Sequence, residues 1–287
     1  MVSLLREPIP ERALAIAAHP DDIEFMAGGT LASWIAQGCQ VHYLIVTDGA
    51  GGSRDPQQDP AQLIAQRRQE QLQAASILGV ASVTFLGYGD ATLEPTRDLR
   101  LALARVIRQV RPEAVLSFDP HMLYRAATIN HSDHLVVGAS TLGAVMPLAN
   151  TWQAAPELQP AGLLPHDVAT IYLFEPASPT HWMPLSTHAV TLKAAALRAH
   201  ASQLANWDGV NCLYERARTT AQVARQHGIR CAYAEDFTRI QLAPDGQYTG
   251  LPWGGAAAHP PRIGLLANSM KIAAAQLVSA IQSRIAI

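Results

Sequence analysis

The sequence predicts a Rossmann-like, doubly wound α/β fold with a mostly parallel sheet, a functional site at the carboxyl ends of its strands, and a C-terminal helical extension. Three observations carry this. Through the first 150 residues, short apolar runs alternate with longer stretches of helical period, as βαβ units require. The chain of 287 residues is 49% hydrophobic and 15% charged, enough apolar material for a large core. The densest groups of ionisable residues directly follow apolar runs, where open α/β sheets bind their ligands.

Taken in order, ALAIAA (13–18) reads as the first buried strand. Gly28-Gly29-Thr30 then open a helical stretch, which closes at Gly38, a residue suited to the left-handed conformation past a helix end. VHYLIVT (41–47) is the second strand. A helix starts at Asp59 or Pro60, keeps Leu63, Ile64, Leu72, Ala75 and Leu78 at roughly helical spacing, and stops at Gly79. VTFL (83–86) and AVLSF (114–118) are the next strands, with the helix LRLALARVIRQV (99–110) between them. After Val137 a helical pattern runs to about Ala149, and a proline-rich connection with Pro156, Pro160 and Pro165 follows.

DVATIYLFE (167–175) reads as another buried strand, 192–204 as a helix, and CAYAEDFTRIQL (231–242) as a late strand with its approach. Gly and Pro are dense from Pro244 to Pro261. We therefore divide the chain into an α/β catalytic domain, 1–243, and a loop with a C-terminal helix, 244–287. In that tail Met270, Ala274, Leu277, Ile281 and Ile285 form an apolar helical stripe. The stripe packs on its own domain or on a second copy; a subunit contact, and so a homo-oligomer, is the expectation.

The formal net charge of −2 gives no electrostatic footprint for nucleic acid or an anionic membrane, which leaves a small molecule as the expected partner. Cys39, Cys212 and Cys231 are odd in number and lack CxxC spacing, so they read as reduced thiols. No apolar run of signal-peptide length precedes Pro8 and Pro10, and no segment has the character of a membrane span. The expected location is the cytoplasm. Gly49, Gly51 and Gly52 lack both a G-x-G-x-x-G spacing and a P-loop lysine, so they read as a flexible rim and not a nucleotide site.

Two clusters carry chemistry. His19-Pro20-Asp21-Asp22-Ile23-Glu24 follows the first strand, and Asn130-His131-Ser132-Asp133-His134 ends the loop that begins after AVLSF. A turn or a helix cap explains one aspartate, but not a histidine and two aspartates together. In a parallel sheet both clusters can face one crevice. Imidazole and carboxylate suit Zn²⁺ and other divalent first-row metals, and catalytic zinc commonly has three protein ligands plus an open position. Two histidines and one aspartate meet that count. In the loop 119–129, His121, Tyr124 and Arg125 are candidate substrate contacts, with an ordinary connecting loop as the competing reading. His42, His166, His181, His188, His227 and His259 read as ordinary core or surface histidines.

His-Pro-Asp-Asp followed by Glu24 and Gly28-Gly29-Thr30, with the later His-x-Asp-His, resembles the signature of the LmbE/PIG-L deacetylases, a zinc-dependent family acting on N-acetylglucosaminyl compounds. Arg67-x-x-Glu70 before Leu78-Gly79-Val80, the stretch from Lys193 to Gln203, and Ala234-Glu235-Asp236-Phe237 are similar to further family segments. The resemblance covers residues from about 13 to 240. It implies that His19, Asp22 and His134 bind the metal and that Asp21 is the general base. It also implies that His131 stabilises the oxyanion or acts as general acid, that Asp133 orients or charges His131, and that Arg67 and His200 reach the substrate.

The implied cofactor is zinc, with ferrous iron or another divalent ion as alternatives. The implied reaction removes an N-acetyl group from an N-acetylglucosamine-type conjugate. A hydratase acting on an unsaturated dicarboxylic acid through the same site is the alternative, and a non-catalytic nucleotide-binding module is the third reading. Assigning Asp21 and Asp22 to different roles is consistent with geometry, since two ligands from consecutive residues are hard to aim at one ion. Ile23 intervenes before Glu24, as in the bacillithiol-pathway-like branch, so Glu24 receives no catalytic role. Ser132 stands where the family often has proline, and Ile129 precedes His131 where mycothiol-type members place a tyrosine.

Overall fold

The apolar runs form strands that are buried on both faces, which a parallel sheet covered by helices allows. The computed structural model describes residues 8–242, apart from Ala126 and Asn206. In chain order its elements are β1 (Arg12–Ala17), α1 (Asp22–Ile35), β2 (Gln40–Thr47), α2 (Pro60–Leu78), β3 (Ser82–Tyr88), α3 (Arg97–Val110), β4 (Ala114–Phe118), β5 (Tyr124–Arg125) and β6 (Thr128–Ile129). There follow α4 (Ser132–Gly143), β7 (Thr170–Phe174), β8 (His181–Leu185), α5 (Thr187–Arg198), α6 (Ala201–Leu204), α7 (Gly209–Gln226) and β9 (Tyr233–Gln241).

Among the described residues, seven strands make one sheet in the order β3-β2-β1-β4-β7-β9-β8. Pairing is parallel from β3 through β7, and β9 runs antiparallel to both β7 and β8. The fold is therefore the mostly parallel α/β sheet that the alternation predicts. Leu14, Ile16, Leu44, Ile45, Val115, Leu116, Phe118 and Phe174 are wholly buried in its core. Each such side chain contributes about 1.5–3 kcal/mol through burial. The chain leaves β1 toward β2 and β3 on one side and returns to β4 on the other. The strand order reverses between β1 and β4, which opens a crevice at their carboxyl ends.

The structure corrects several boundaries. α1 begins at Asp22, so Gly28 and Gly29 lie inside the helix and do not open it. A Cβ on Gly29 would stand 2.5 Å from Leu185 Cδ1 and 3.1 Å from Glu235 Oε1. The missing side chain lets the Glu235 carboxylate accept from Gly29 N at 2.9 Å and Thr30 N at 2.7 Å while it pairs with the buried Lys193. The expected helix to Ala149 ends at Gly143, and the backbone turns extended at Met146, before Pro147. The expected helix 192–204 is two helices, α5 and α6, separated around His200, and it begins earlier, at Thr187.

β8 and α7 are additions. β8 contains Pro184, which an edge strand tolerates. Among the described residues, no helix is long and apolar enough to cross a membrane. The expected extension 244–287, with its apolar stripe, lies outside the described residues.

Candidate active site and metal centre

β1 and β4 are neighbours, so the loops that leave them meet. After β1, the chain turns sharply into α1: His19 N donates to Asp22 Oδ2 at 2.7 Å, and Asp22 takes the first helical position. Asp21, between them, holds φ 101° and ψ −27°. Such a backbone costs a residue with a Cβ on the order of 1–3 kcal/mol.

His19 Nδ1 lies 3.4 Å from Asp22 Oδ2, and His134 Nε2 lies 3.3 Å from Asp22 Oδ1. The tautomers follow from the other ring nitrogens. His134 Nδ1 is 2.9 Å from Asn130 Oδ1, an acceptor, so Nδ1 carries a proton and Nε2 is the ring atom turned toward Asp22. Phe118 stacks on the same ring at 3.8 Å and fixes its plane. His19 Nε2 lies 3.2 Å from Asp90 Oδ1 and 3.4 Å from Asp133 Oδ2, which turns Nδ1 to the side of Asp22.

One donor atom each from His19, Asp22 and His134 falls within a mutual 4.8 Å, and the chemistry of the set fits a divalent first-row ion. A second group, His19, Asp90, His131 and Asp133, meets the same distance limit. There the carboxylates already accept backbone hydrogen bonds, Asp90 from Gly51 N at 2.9 Å and Asp133 from Ala91 N at 2.8 Å.

The electrostatics express the same need for a cation. Burial works against a charged His19, but Asp133, Asp22 and Asp90 outweigh it and push its pKa up to about 12. Burial likewise opposes the charge on His134, and Asp22 raises it to about 9. Despite burial, His134 and His19 hold Asp22 well below the usual carboxylate range, and His19 draws Asp90 down to about 2. Asp21 goes the other way. Burial raises its carboxyl to about 6, with the Asp22 charge adding to the rise and Arg67 opposing it.

His131 caps α4: its Nδ1 accepts from Asp133 N at 3.2 Å, so the neutral ring carries its proton on Nε2. Burial and the charge on His19 lower its pKa. The carboxylate of Asp133 is 4.0 Å from His131 Nδ1 but only 3.4 Å from His19 Nε2. Asp133 thus orients His131 through its backbone N–H and turns its carboxylate to His19.

Asp90 is a site residue the sequence reading missed. It follows β3, and its Oδ1 lies 3.9 Å from His131 Nε2. Its position just past a third parallel strand was the available signal.

The remaining candidates divide into buried and open groups. Arg67 is 3% exposed; its guanidinium donates to Gly49 O at 2.8 Å and Pro20 O at 2.7 Å, and lies 3.5 Å from Asp21 Oδ2. His200 is wholly buried with Nε2 3.3 Å from Glu24 Oε2. His121, Tyr124 and Arg125 lie on the open rim, where Tyr124 and Arg125 form one strand of the β5–β6 hairpin. A cavity of about 160 Å³ adjoins Asp21 and Asp22, walled by Phe25, Met26, Leu197, Leu204 and Trp207, with His200 and Gln203.

Comparison with known proteins places this geometry in a family. Residues 14–145 match the family model described as PIG-L: GlcNAc-PI de-N-acetylase. The chain is 32% identical over 205 residues to the diacetylchitobiose deacetylase of Thermococcus kodakarensis, an alignment covering 69% of this chain and 73% of that protein. It is 30% identical over 248 residues to the 4-oxalmesaconate hydratase of Pseudomonas putida, covering 79% and 88%. The solved structure of N,N'-diacetylchitobiose deacetylase from Pyrococcus horikoshii superposes with a TM-score of 0.72 at 27% identity, covering 81% of this chain and 84% of that one. With its motifs at the reversal point of the same sheet, this chain belongs to the PIG-L (LmbE) family.

Proposed function

We propose that the protein is a zinc-dependent N-deacetylase that removes the acetyl group from an N-acetylglucosamine-type conjugate. One arrangement carries this reading: a base, Asp21, and a hydrogen-bond donor, His131, stand beside a three-donor set of His19, Asp22 and His134. These three would hold the ion, which when bound supplies Lewis-acid polarisation of an acyl oxygen and acidifies a water. Asp21, with its carboxyl near 6, is ionised at neutral pH and takes the proton of the attacking water. His131, neutral with its proton on Nε2, donates that N–H as a hydrogen bond to the oxyanion that forms, and its exposure, 40% of the side chain, gives it access to substrate. Water adds to the carbonyl carbon, Asp21 passes the proton it took to the departing nitrogen as the C–N bond breaks, and acetate and a free amine leave.

The hydratase relative defines the competing reading, an unsaturated dicarboxylate as substrate. Charge favours the amide. Asp21, Asp22, Asp90 and Asp133 crowd the site, while the guanidinium that reaches Asp21, Arg67, is buried and donates to two backbone carbonyls. A dianion placed among those carboxylates meets like charge. The test is acetate release by the zinc-loaded protein from N,N'-diacetylchitobiose and a small panel of N-acetylglucosamine conjugates, beside hydration of unsaturated dicarboxylates. Acetate release is expected. Hydration with no acetate from any acetamide at high enzyme concentration would reverse the choice.

A further inference from the structure

We propose that Gln71 is a positioning residue for Asp21, acting through the Pro20–Asp21 peptide and not through substrate. The inference rests on the reading of Asp21 as the base. Asp21 holds a left-handed backbone, φ 101°, without help from a side-chain cap on α1. What fixes it comes from α2. Arg67 Nη2 donates to Pro20 O at 2.7 Å, and Gln71 Oε1 accepts from Asp21 N at 3.1 Å. Those two atoms belong to one peptide unit, and residues 67 and 71, one helical turn apart, share a face of α2. The peptide plane is therefore gripped at both edges by a single helix.

The Gln71 amide has only one way to face. Its oxygen must meet the Asp21 N–H, while its Nε2 donates to Glu24 Oε1 at 2.9 Å. Glu24 is wholly buried, and its other oxygen lies 3.3 Å from His200 Nε2. The amide that holds Asp21 is thus itself locked by a buried carboxylate and imidazole. Gln71 is 0% exposed, so substrate does not reach it. Without its acceptor, the peptide can rotate toward an ordinary φ and carry the Asp21 carboxylate out of line. Displacement on the scale of an ångström is enough to lose a large factor in rate.

The test is a cycle on the zinc-loaded full chain, with kcat, KM, metal per chain and thermal midpoint measured for Gln71→Met, Asp21→Asn and the double variant. Gln71→Met is expected to lower kcat about tenfold, with KM and metal content unchanged. In the Asp21→Asn background it is expected to add nothing, because the group it positions is gone. A Gln71→Met loss that multiplies in that background overturns the positioning role while leaving the base reading intact. Parent activity in Asp21→Asn overturns the base reading itself. Gln71→Glu keeps an acceptor for Asp21 N–H, loses the donor to Glu24, and guards against misfolding of the Met variant. It should retain more kcat than Gln71→Met; an equal loss in the two would place the effect at Glu24 and overturn the proposal.

Discussion

The loop after β1 and the loop after β4 leave adjacent strands of one sheet and end at the same site, but they are built in opposite ways. The first is four residues long and sealed: His19 is 7% exposed, Asp22 is 8% exposed, and the Pro20–Asp21 peptide is hydrogen-bonded on both sides. The second begins buried, at Asp119, and runs into α4 just before the buried Asp133, yet between them Tyr124 is 72% exposed and Ile129 is 85% exposed. Reacting groups must be held to about half an ångström, which a short, fully bonded turn achieves. A long open loop cannot hold such tolerances, but it offers surface that suits contact with varied substrates. On the proposed function, chemistry falls to the first loop and to the junction of the second with α4, and selection to the middle of the second.

The sharpest way to break that comparison lies inside the first loop, between two neighbouring aspartates. Asp22→Ala removes a metal ligand, and the expected result is loss of bound metal and of measurable activity. Asp21→Asn keeps the size of the side chain and the metal while lowering kcat by a factor on the order of 10²–10⁴. The pH profile adds a sign. Asp21 must be deprotonated to act, so the parent rate rises as pH increases through the Asp21 pKa, at or below about 6 since a cation beside it draws the carboxyl down, and this acidic limb vanishes in Asp21→Asn. Metal per chain and steady-state rates check both. Metal lost from Asp21→Asn but kept by Asp22→Ala would exchange the two roles.

His131 lies at the anchored end of the second loop and tests whether anchoring or loop membership decides function. If anchoring decides, His131→Ala keeps the metal and lowers kcat about 10²-fold, the usual cost of one lost oxyanion donor. An effect confined to KM would return His131 to the selecting region and blur the division.

Much of this was legible in the sequence because it is local or follows from strand order. ALAIAA and AVLSF are buried strands with His19 and His134 in the segments that follow them, and a parallel sheet brings such segments to one edge. What stayed hidden depends on packing across the sheet. Asp90 is a single acidic residue after a modest strand, and its place past that strand points to the site's edge but not to its partner, His19. Gly28 and Gly29 look like a helix boundary but lie inside α1, where Gly29 admits Glu235 from more than 200 residues away. The role of Gln71 was unreadable for the same reason: it takes its meaning from the unusual φ of Asp21, which no sequence pattern displays.

The smallest effect is expected at the exposed middle of the second loop, and it sharpens the comparison most. Tyr124 stands on a two-stranded hairpin in which, among the described residues, it pairs with Ile129 and Arg125 pairs with Thr128, and its exposed ring supports little of the fold. Tyr124→Ala should change stability by no more than about 0.5 kcal/mol, as for surface substitutions away from structural features. Its proposed use is contact with the part of the conjugate remote from the acetamido group. Loss of one aromatic contact, about 0.5–1.5 kcal/mol, raises KM about two- to tenfold. Such uniform binding is felt equally in ground and transition states, so kcat stays at the parent value. A monosaccharide acetamide, too short to reach the hairpin, should show no change in KM. Steady-state measurements on one short and one extended substrate make the comparison. A fall in kcat on both substrates, with KM unchanged, would mean that the hairpin positions reacting groups and that the division between a rigid chemical loop and an open selecting loop is wrong.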